Sequence, residues 1–400
     1  MRPAPVHVNP RPEPRSKKRS LSAVTRYAVV PLLLLAAGVR IGMYIGRARA
    51  APAAAPAPPP PPAPQPQPAA APQAPPDAPR LGIEASFQNN IYPSLLLSLG
   101  ASYPEYTRCL SVTVSGAPPS GAQVRIESDL FEVPATVSLE APGGQATLNP
   151  DLPWNYALLR RTAQLGPHSF VATLIVAGRP AAQAPLVCNV HSVNEVVSRI
   201  FTPASGQWED TSVCFAAYVN EDHPFISTLL QDAISGGGVR AFTGYQNGLR
   251  SEMAQAQAVW DTLAARGLSY VNVATDSGAS ALVSTQYVRF LEQSLRDKGA
   301  NCVDASVMFA SILRRIGLRP VLIFRPGHCF AGFYDGPDGG HIVAFETTFL
   351  GTASFASAEE EGGRELQGTL PFIGSAEYSV VDIALCRQQG INPIPYEPGG

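Results

Sequence analysis

The sequence predicts an α+β protein in which a helix carrying a cysteine packs on an antiparallel sheet, preceded by an antiparallel β-sandwich and an N-terminal transmembrane helix. Three observations support this prediction. Short alternating apolar runs between Pro and Gly turns fill residues 81–195, an apolar helical pattern begins at Cys302, and a continuous apolar stretch occupies residues 27–46. Of the 400 residues, 45% are hydrophobic and 15% are charged, which is enough apolar chain to bury a core.

Composition also limits the partners. The net charge is -2, and no basic patch interleaved with aromatic residues occurs in the globular part. Nucleic acid is therefore not a predicted partner. The sequence suggests no cofactor, and its six widely spaced cysteines, without a CxxC pair, argue against zinc-ribbon or dithiol redox sites.

The N-terminus predicts membrane insertion. Residues 1–26 are polar and basic, as in a cytoplasmic tail, and residues 27–46 span about 30 Å as a helix. Arg40 lies near the far end, where its side chain can reach the interface. The alternative is a cleaved signal peptide with Val29–Val39 as its apolar core and Ala48–Ala50 as its cleavage site. Both interpretations export the rest of the chain if the basic flank stays inside.

A stalk is predicted to follow. Residues 47–80 are rich in Ala and Pro, cannot bury a core, and favour an extended polyproline II spacer at about 3.1 Å per residue. The expected location is therefore the inner membrane, as a single-pass protein with a cytoplasmic N-terminus and periplasmic or extracellular domains. Residues 391–400 are predicted to be a flexible tail.

The segment 81–195 is predicted to be an immunoglobulin-like β-sandwich. Its predicted strands are Leu110–Val114, Gln123–Ile126, Thr136–Leu139, Phe170–Val176 and Leu186–Val190.

Several side chains of this segment are of types that form disulfides or bind ligands. Cys109 and Cys188 form either a disulfide or two buried thiols. His168 is expected in a solvated Gly-Pro-His turn, and Trp154 and Tyr156 are expected to pack rather than to bind a ligand.

Two helices are predicted to form the wall of a site within residues 196–390. The first begins after an Asp222 N-cap with Pro224 in its first turn, and the second covers Gly248–Arg266. His223, beside the first helix start, is expected to be a capping or surface residue.

Cys302 stands at the start of a predicted helix. Asn301 is a good N-cap, which gives Cys302 the first helical position, and the apolar face runs on to a stop at Gly317. Unpaired backbone N–H groups and the positive end of the helix dipole favour a thiolate there, which is the nucleophilic form of cysteine. Asp304, if it faced the thiol, would oppose that charge.

A hairpin brings a histidine to a carboxylate. Pro320–Arg325 predicts a buried strand, and two further strands, starting at His328 and ending at Glu346, flank a turn at residues 336–338. With a three-residue loop, His328 lies directly opposite Glu346, whereas a five-residue loop makes them diagonal neighbours on one face. The carboxylate then orients the imidazole, as in a nucleophile, base and acid triad.

Other polar groups near this hairpin have alternative interpretations. Alternation turns Cys329 and His341 to the opposite face, so both are expected to be bystanders. A metal site built from Cys302, His328 and His341 is a weaker hypothesis, because it requires His341 on the His328 face.

These residues resemble the transglutaminase-like superfamily, which has a papain-like fold. The resemblance covers about residues 255–355: Asn301-Cys-Val-Asp-Ala-Ser306, Arg319-Pro-Val-Leu-Ile-Phe-Arg-Pro-Gly-His328 and a strand ending in Glu346-Thr-Thr348 look most like a bacterial, membrane-anchored envelope branch. It implies Cys302 as nucleophile, His328 as general base and Glu346 as orienting acid. The chain departs from the usual pattern in having Glu346 in place of Asp and Phe330 in place of Trp.

The resulting hypothesis is a cysteine acyl transferase or hydrolase that acts on amide bonds of a protein or peptide in the cell envelope through a thioester. Hydrolysis and transfer remain open. The backbone N–H of Cys302 and the side chain of Gln286 are the oxyanion candidates. The rival hypothesis is a non-catalytic envelope scaffold with a degenerate transglutaminase-like domain.

Overall fold

The computed structural model describes residues 79–100, 103–116, 119–139, 145–272, 280–375 and 377–397. These residues form an α+β fold with five sheets. The predicted tail 1–26, the predicted anchor 27–46 and nearly all of the predicted linker 47–80 lie outside the described residues. Within them, no helix is both long enough and apolar enough to cross a membrane.

Two sheets form the first part of the described chain. Their strands are β1 (Arg80–Ala85), β2 (Asn90–Ile91), β3 (Leu110–Ser115), β4 (Gln123–Ser128), β5 (Ala135–Ser138), β6 (Ala146–Leu148), β7 (Gly166–Val176) and β8 (Arg179–Val190). The sheet orders are β1-β3-β6 and β2-β8-β7-β4-β5. Alternate residues of β3 and β4 are buried, as period-two patterning requires, and both sheets contribute to one core around Trp154 and Phe170. Arg80 already belongs to β1, so the linker prediction extends too far there.

Short helices connect these strands and were not predicted. They are α1 (Ser86–Asn89), a single turn with positive φ angles, α2 (Pro93–Leu99), α3 (Pro104–Thr107) and α4 (Tyr156–Arg161). Leu96 of α2 packs into the first core, whereas Leu95 and Leu99 pack into a second core farther along the chain. Helix α2 therefore joins the two halves of the molecule.

The second half combines three further sheets with six α-helices. Its strands are β9 (Glu195–Thr202), β10 (Gln207–Asp210), β11 (Ser269–Tyr270), β12 (Val283–Tyr287), β13 (Gly299–Ala300), β14 (Pro320–Arg325), β15 (His328–Tyr334), β16 (Ile342–Phe345) and β17 (Ser379–Asp382). Its helices are α5 (Pro224–Ser235), α6 (Leu249–Ala265), α7 (Leu291–Asp297), α8 (Cys302–Arg315), α9 (Phe355–Thr369) and α10 (Ile383–Gln388). Short 3-10 helices cover Ser212–Tyr218, Gly244–Asn247, Thr347–Phe349 and Leu370–Phe372.

The central sheet of this half is antiparallel, with the order β16-β15-β14-β17. Helix α8 packs on β15 and β14, and Trp260 of α6 stacks on Phe309 of α8 with ring centroids 5.4 Å apart. Helix α9 covers the other face, where Leu366 joins Val321 and Phe330 in a small core. A cysteine-bearing helix on an antiparallel sheet agrees with the predicted arrangement.

Beside this sheet lies an unpredicted one with the order β10-β9-β12. Strand β9 starts at Glu195, next to the predicted domain boundary, and the division into domains itself stays a prediction.

Three local predictions are wrong. The N-cap of α5 is His223, whose Nδ1 accepts a hydrogen bond from the Phe225 N–H at 3.2 Å, so Asp222 does not cap the helix. His168 lies within β7 and contacts Asp129 at 3.0 Å rather than standing in a turn. The first part of the predicted flexible tail packs on the protein, since Ile391 and Ile394 are buried.

The cysteines are all free. Cys109 and Cys188 lie in the first core as two buried thiols rather than as a disulfide, and burial raises the pKa of Cys188 to about 11. Trp154 is buried in the same core, as predicted, whereas Tyr156 is exposed.

Candidate active site

Helix α8 begins as the sequence predicts, with Cys302 as its first residue and Asn301 as its N-cap. The Asn301 side chain accepts a hydrogen bond from the Asp304 N–H at 2.8 Å, and the Asp304 carboxylate accepts one from the Asn301 N–H at 3.0 Å. This reciprocal pair is a capping box, which satisfies two backbone donors at the helix start. Asp304 also accepts from the Arg289 N–H at 2.7 Å, so its carboxylate is engaged with the backbone.

The carbonyl of Cys302 is held by two hydroxyl groups. Ser306 donates to it at 2.7 Å and Thr347 donates to it at 3.3 Å, and the two hydroxyl oxygens lie 3.0 Å apart. Because Thr347 directly follows Glu346, this contact joins the start of α8 to the segment that carries the predicted acid.

Replacing Asn301 with alanine is expected to lower the free energy of unfolding by about 1 kcal/mol, because the Asp304 N–H loses its acceptor in a buried helix start. Urea denaturation measures the change. Gln367→Ala, an exposed site on α9, is the control and should shift stability by less than about 0.5 kcal/mol. Equal stability of the two variants would contradict the capping role.

The hairpin does not have the three-residue loop that would set His328 directly opposite Glu346. Asp335 N–H donates to the His341 carbonyl at 2.9 Å, and Ala331 pairs with Phe345, so the loop spans five residues, 336–340. Direct opposition of His328 and Glu346 is therefore wrong, and the diagonal arrangement of the five-residue loop is observed. The cause is local: the Asp335 carboxylate also accepts from the His341 N–H at 2.9 Å and closes the wider loop.

The imidazole and the carboxylate meet in this register. His328 Nε2 lies 2.7 Å from Glu346 Oε2, and Glu346 Oε1 accepts a hydrogen bond from the Thr348 N–H at 2.8 Å. Glu346 is 2% exposed and caps the 3-10 helix that follows it. Both carboxylate oxygens are thus occupied, which fixes the orientation of the acid.

A second carboxylate, missed in the sequence, lies beside the same nitrogen. Glu365 of α9 places Oε2 3.3 Å from His328 Nε2, and its Oε1 accepts a hydrogen bond from Arg325 Nη2 at 2.6 Å. The signal was present: Ser354 caps a helix whose buried residues Phe355, Ala358, Gly362 and Leu366 follow helical spacing, and Glu365 borders that face.

The contacts of His328 favour its protonated form. Burial alone would lower the pKa of His328, but its contacts with Cys302, Glu346 and Glu365 outweigh burial and raise the pKa to about 11. Burial likewise opposes ionisation of Glu346, yet the hydrogen bond and the charge of His328 lower the pKa of that carboxyl. With Nε2 turned to the carboxylates, Nδ1 is the ring nitrogen left for Cys302.

A cleft of about 270 Å³ opens beside Cys302 and His328. One wall comes from β9, β10 and β12, and the other from the end of β14, the turn at Pro326 and Gly327, and β17. The oxyanion candidate Gln286 lies in this lining, with its side chain donating to the Tyr287 carbonyl at 3.2 Å.

The predicted bystanders lie away from this arrangement. Cys329 is buried in the core, and burial raises the pKa of its thiol well above the usual value. The His341 side chain is 96% exposed and contacts Asp335 at 3.1 Å, so the metal hypothesis that needed His341 is wrong.

A different trio could hold a cation by proximity alone. The ligand atoms of His328, Glu346 and Glu365 lie within 4.8 Å of one another. The 2.7 Å contact of His328 Nε2 with Glu346 is that of a hydrogen bond from the ring to a carboxylate, and Arg325 already binds the other oxygen of Glu365.

No protein-family profile and no curated protein matches the chain. Among solved structures, the chain is similar to a crystal structure of red sea bream transglutaminase, with 12% sequence identity and a TM-score of 0.18. The match covers 61% of this chain and 48% of that protein, so the chain spans about half the length of its structural neighbour. This is a weak structural similarity to a transglutaminase, and the functional argument rests on the geometry of the site.

Proposed function

We propose that the protein is a cysteine enzyme that transfers or hydrolyses amide-linked acyl groups, with Cys302 as nucleophile, His328 as acid and base, and Glu346 as orienting acid. One observation carries the proposal: the His328 imidazole stands between a helix-start thiol and a buried carboxylate, at the mouth of a cleft. This constellation is the one that activates a cysteine nucleophile.

The chemistry follows from the charges. An imidazolium beside Cys302 stabilises a thiolate, whose sulfur attacks the amide carbonyl carbon. The C–N bond then breaks as His328 gives its proton to the leaving amine, and a thioester remains on Cys302. Water or a second amine gives a proton to His328 and attacks the thioester carbonyl carbon. The C–S bond then breaks, which releases the acid or amide product and regenerates the Cys302 thiolate beside protonated His328.

Stabilisation of the tetrahedral intermediate is assigned to two donors. The backbone N–H of Cys302 belongs to the first turn of α8, where such groups lack an intrahelical acceptor, and Gln286 supplies an amide from the cleft wall. Gln286→Ala should therefore lower turnover about 100-fold if its amide serves the oxyanion, a magnitude typical of one lost donor.

The fold and the location belong to the same proposal. We propose a transglutaminase-like, papain-like domain at 196–390, preceded by a β-sandwich at 81–195 and anchored by residues 27–46, with an envelope protein or peptide as substrate. The Cys302 helix on an antiparallel sheet and the export-type N-terminus support it. Carbonate extraction of membranes tests the anchor, since a cleaved, soluble product would leave the pellet.

Alkylation tests the thiol without knowledge of the substrate. Cys302 in the full-length protein is expected to react with iodoacetamide at least about tenfold faster than free cysteine between about pH 5 and pH 7, because the imidazolium stabilises its nucleophilic form. His328→Gln should abolish this advantage. A wild-type rate equal to that of free cysteine would reject the enzyme and favour the scaffold function.

A further inference from the structure

We propose that Glu365 is a second orienting carboxylate for His328. Two acids would then orient the imidazole: Glu346, which caps the 3-10 helix Thr347–Phe349, and Glu365 on α9. The inference rests on the proposed function, since it assigns a positioning residue to the same imidazole. It starts from the contact of Glu365 Oε2 with His328 Nε2 at 3.3 Å.

The surroundings of Glu365 Oε2 favour a positive charge close to it. The atom is buried and has no hydrogen bond of good geometry within the described residues, while the other oxygen is bound by Arg325 and the Glu365 side chain also interacts with Glu346. A buried carboxylate oxygen without a hydrogen bond costs free energy unless a charge lies near it. Arg325 pairs with Oε1, and the ring nitrogen of His328 is the group that faces Oε2 and can place a positive charge beside it.

The two carboxylates act differently on the same nitrogen. Nε2 carries one proton and donates it in the 2.7 Å hydrogen bond to Glu346. Glu365 therefore acts on the ring through its charge. Around the ring stand Cys302 from α8, Arg325 directly across the strand pair, and Tyr270 of β11. Phe330 stacks on the ring at 6.0 Å.

Backbone contacts of α9 fix the position of Glu365 relative to Glu346. The Glu346 N–H donates to the Ala358 carbonyl of α9 at 2.8 Å, so the helix that carries Glu365 also anchors the first acid. At Gly362, one turn before Glu365, α9 approaches β16 so closely that an added Cβ would lie 2.3 Å from Phe345 Cα. The distance between the carboxylates is therefore set by helix docking and not by a mobile loop.

Replacing Arg325 tests the proposal, because it should shift proton binding by His328 in the direction opposite to replacing Glu365. His328, Arg325, Glu346 and Glu365 carry two positive and two negative charges. Glu365→Gln removes a negative charge and leaves Arg325 unpaired, so His328 should bind its proton about tenfold more weakly. Arg325→Gln leaves Glu365 unshared, so His328 should bind its proton more tightly. A purely structural role would shift both variants in the same direction.

Proton binding is measured by NMR titration of the His328 ring in full-length protein carrying Cys302→Ala, which removes the coupled thiol. Glu360→Gln, on the same helix and exposed, is the matched control and should leave the titration unchanged. Opposite shifts for Glu365→Gln and Arg325→Gln support the proposal. A titration of Glu365→Gln that coincides with the control overturns it.

Alkylation of Cys302 in proteins that retain the thiol separates this proposal from the enzyme proposal. If wild-type Cys302 reacts rapidly but Glu365→Gln does not move the His328 titration, the proposed enzyme function is supported and the orienting role of Glu365 is rejected. If the His328 titration shifts as expected but Cys302 reacts like free cysteine, the orienting role of Glu365 is supported and the proposed enzyme function is rejected.

Discussion

Replacing Cys302 with alanine is expected to lower turnover by about 1,000-fold or more, because the other five cysteines are buried and Cys302 is the one that borders the cleft. The assay incubates the full-length protein with a cell-envelope extract and a tagged primary amine, then measures amine incorporation and ammonia release. Incorporation indicates transfer, whereas ammonia or new N-termini without incorporation indicate hydrolysis.

Cys329→Ala is the matched control for this experiment. Cys329 lies on β15 directly after His328 but points into the core, so its loss should cost stability without removing the chemistry. Labelling that persists in Cys302→Ala, at equal folding, would contradict the assignment of the nucleophile.

Gly362→Val is expected to destabilise the protein by about 3 kcal/mol or more, at the upper end of overpacking effects. The added side chain meets backbone atoms of β16, including the Phe345 N at 2.4 Å, which cannot rotate away as a side chain would. Helix α9 must shift, and the shift breaks the hydrogen bond from Glu346 to Ala358. Urea denaturation gives the loss of stability, and slowed Cys302 alkylation reports the damage to the site.

The neighbouring glycine provides the control. Gly363 has nothing within 4 Å of an added Cβ, so Gly363→Ala should leave the site intact and stabilise the helix by up to about 1 kcal/mol. Equal effects at both positions would show that helix propensity, and not the close approach to β16, governs Gly362.

Local signals were sufficient for the nucleophile helix. Asn301, the apolar face after Cys302 and the stop at Gly317 are all set by neighbours within one or two turns, and α8 covers Cys302–Arg315 as they predict. Strand β14 likewise covers Pro320–Arg325, because a buried strand reads as a continuous apolar run.

Longer-range features were not predictable in the same way. The five-residue hairpin loop depends on the Asp335 side chain, which closes the turn through the His341 N–H and cannot be inferred from a count of turn residues. Glu365 reaches His328 only because α9 docks on the sheet, 37 positions along the chain. The sheet of β9, β10 and β12 joins segments that are about 80 residues apart, beyond the reach of periodicity.

The hydroxyl contacts at the Cys302 carbonyl have a kinetic consequence. Ser306 and Thr347 tie the backbone of Cys302, the proposed nucleophile, to the segment that directly follows Glu346, so these contacts hold the members of the proposed triad together. If Cys302 is acylated as proposed, no ordering step is expected, and single-turnover traces should show acylation without a lag.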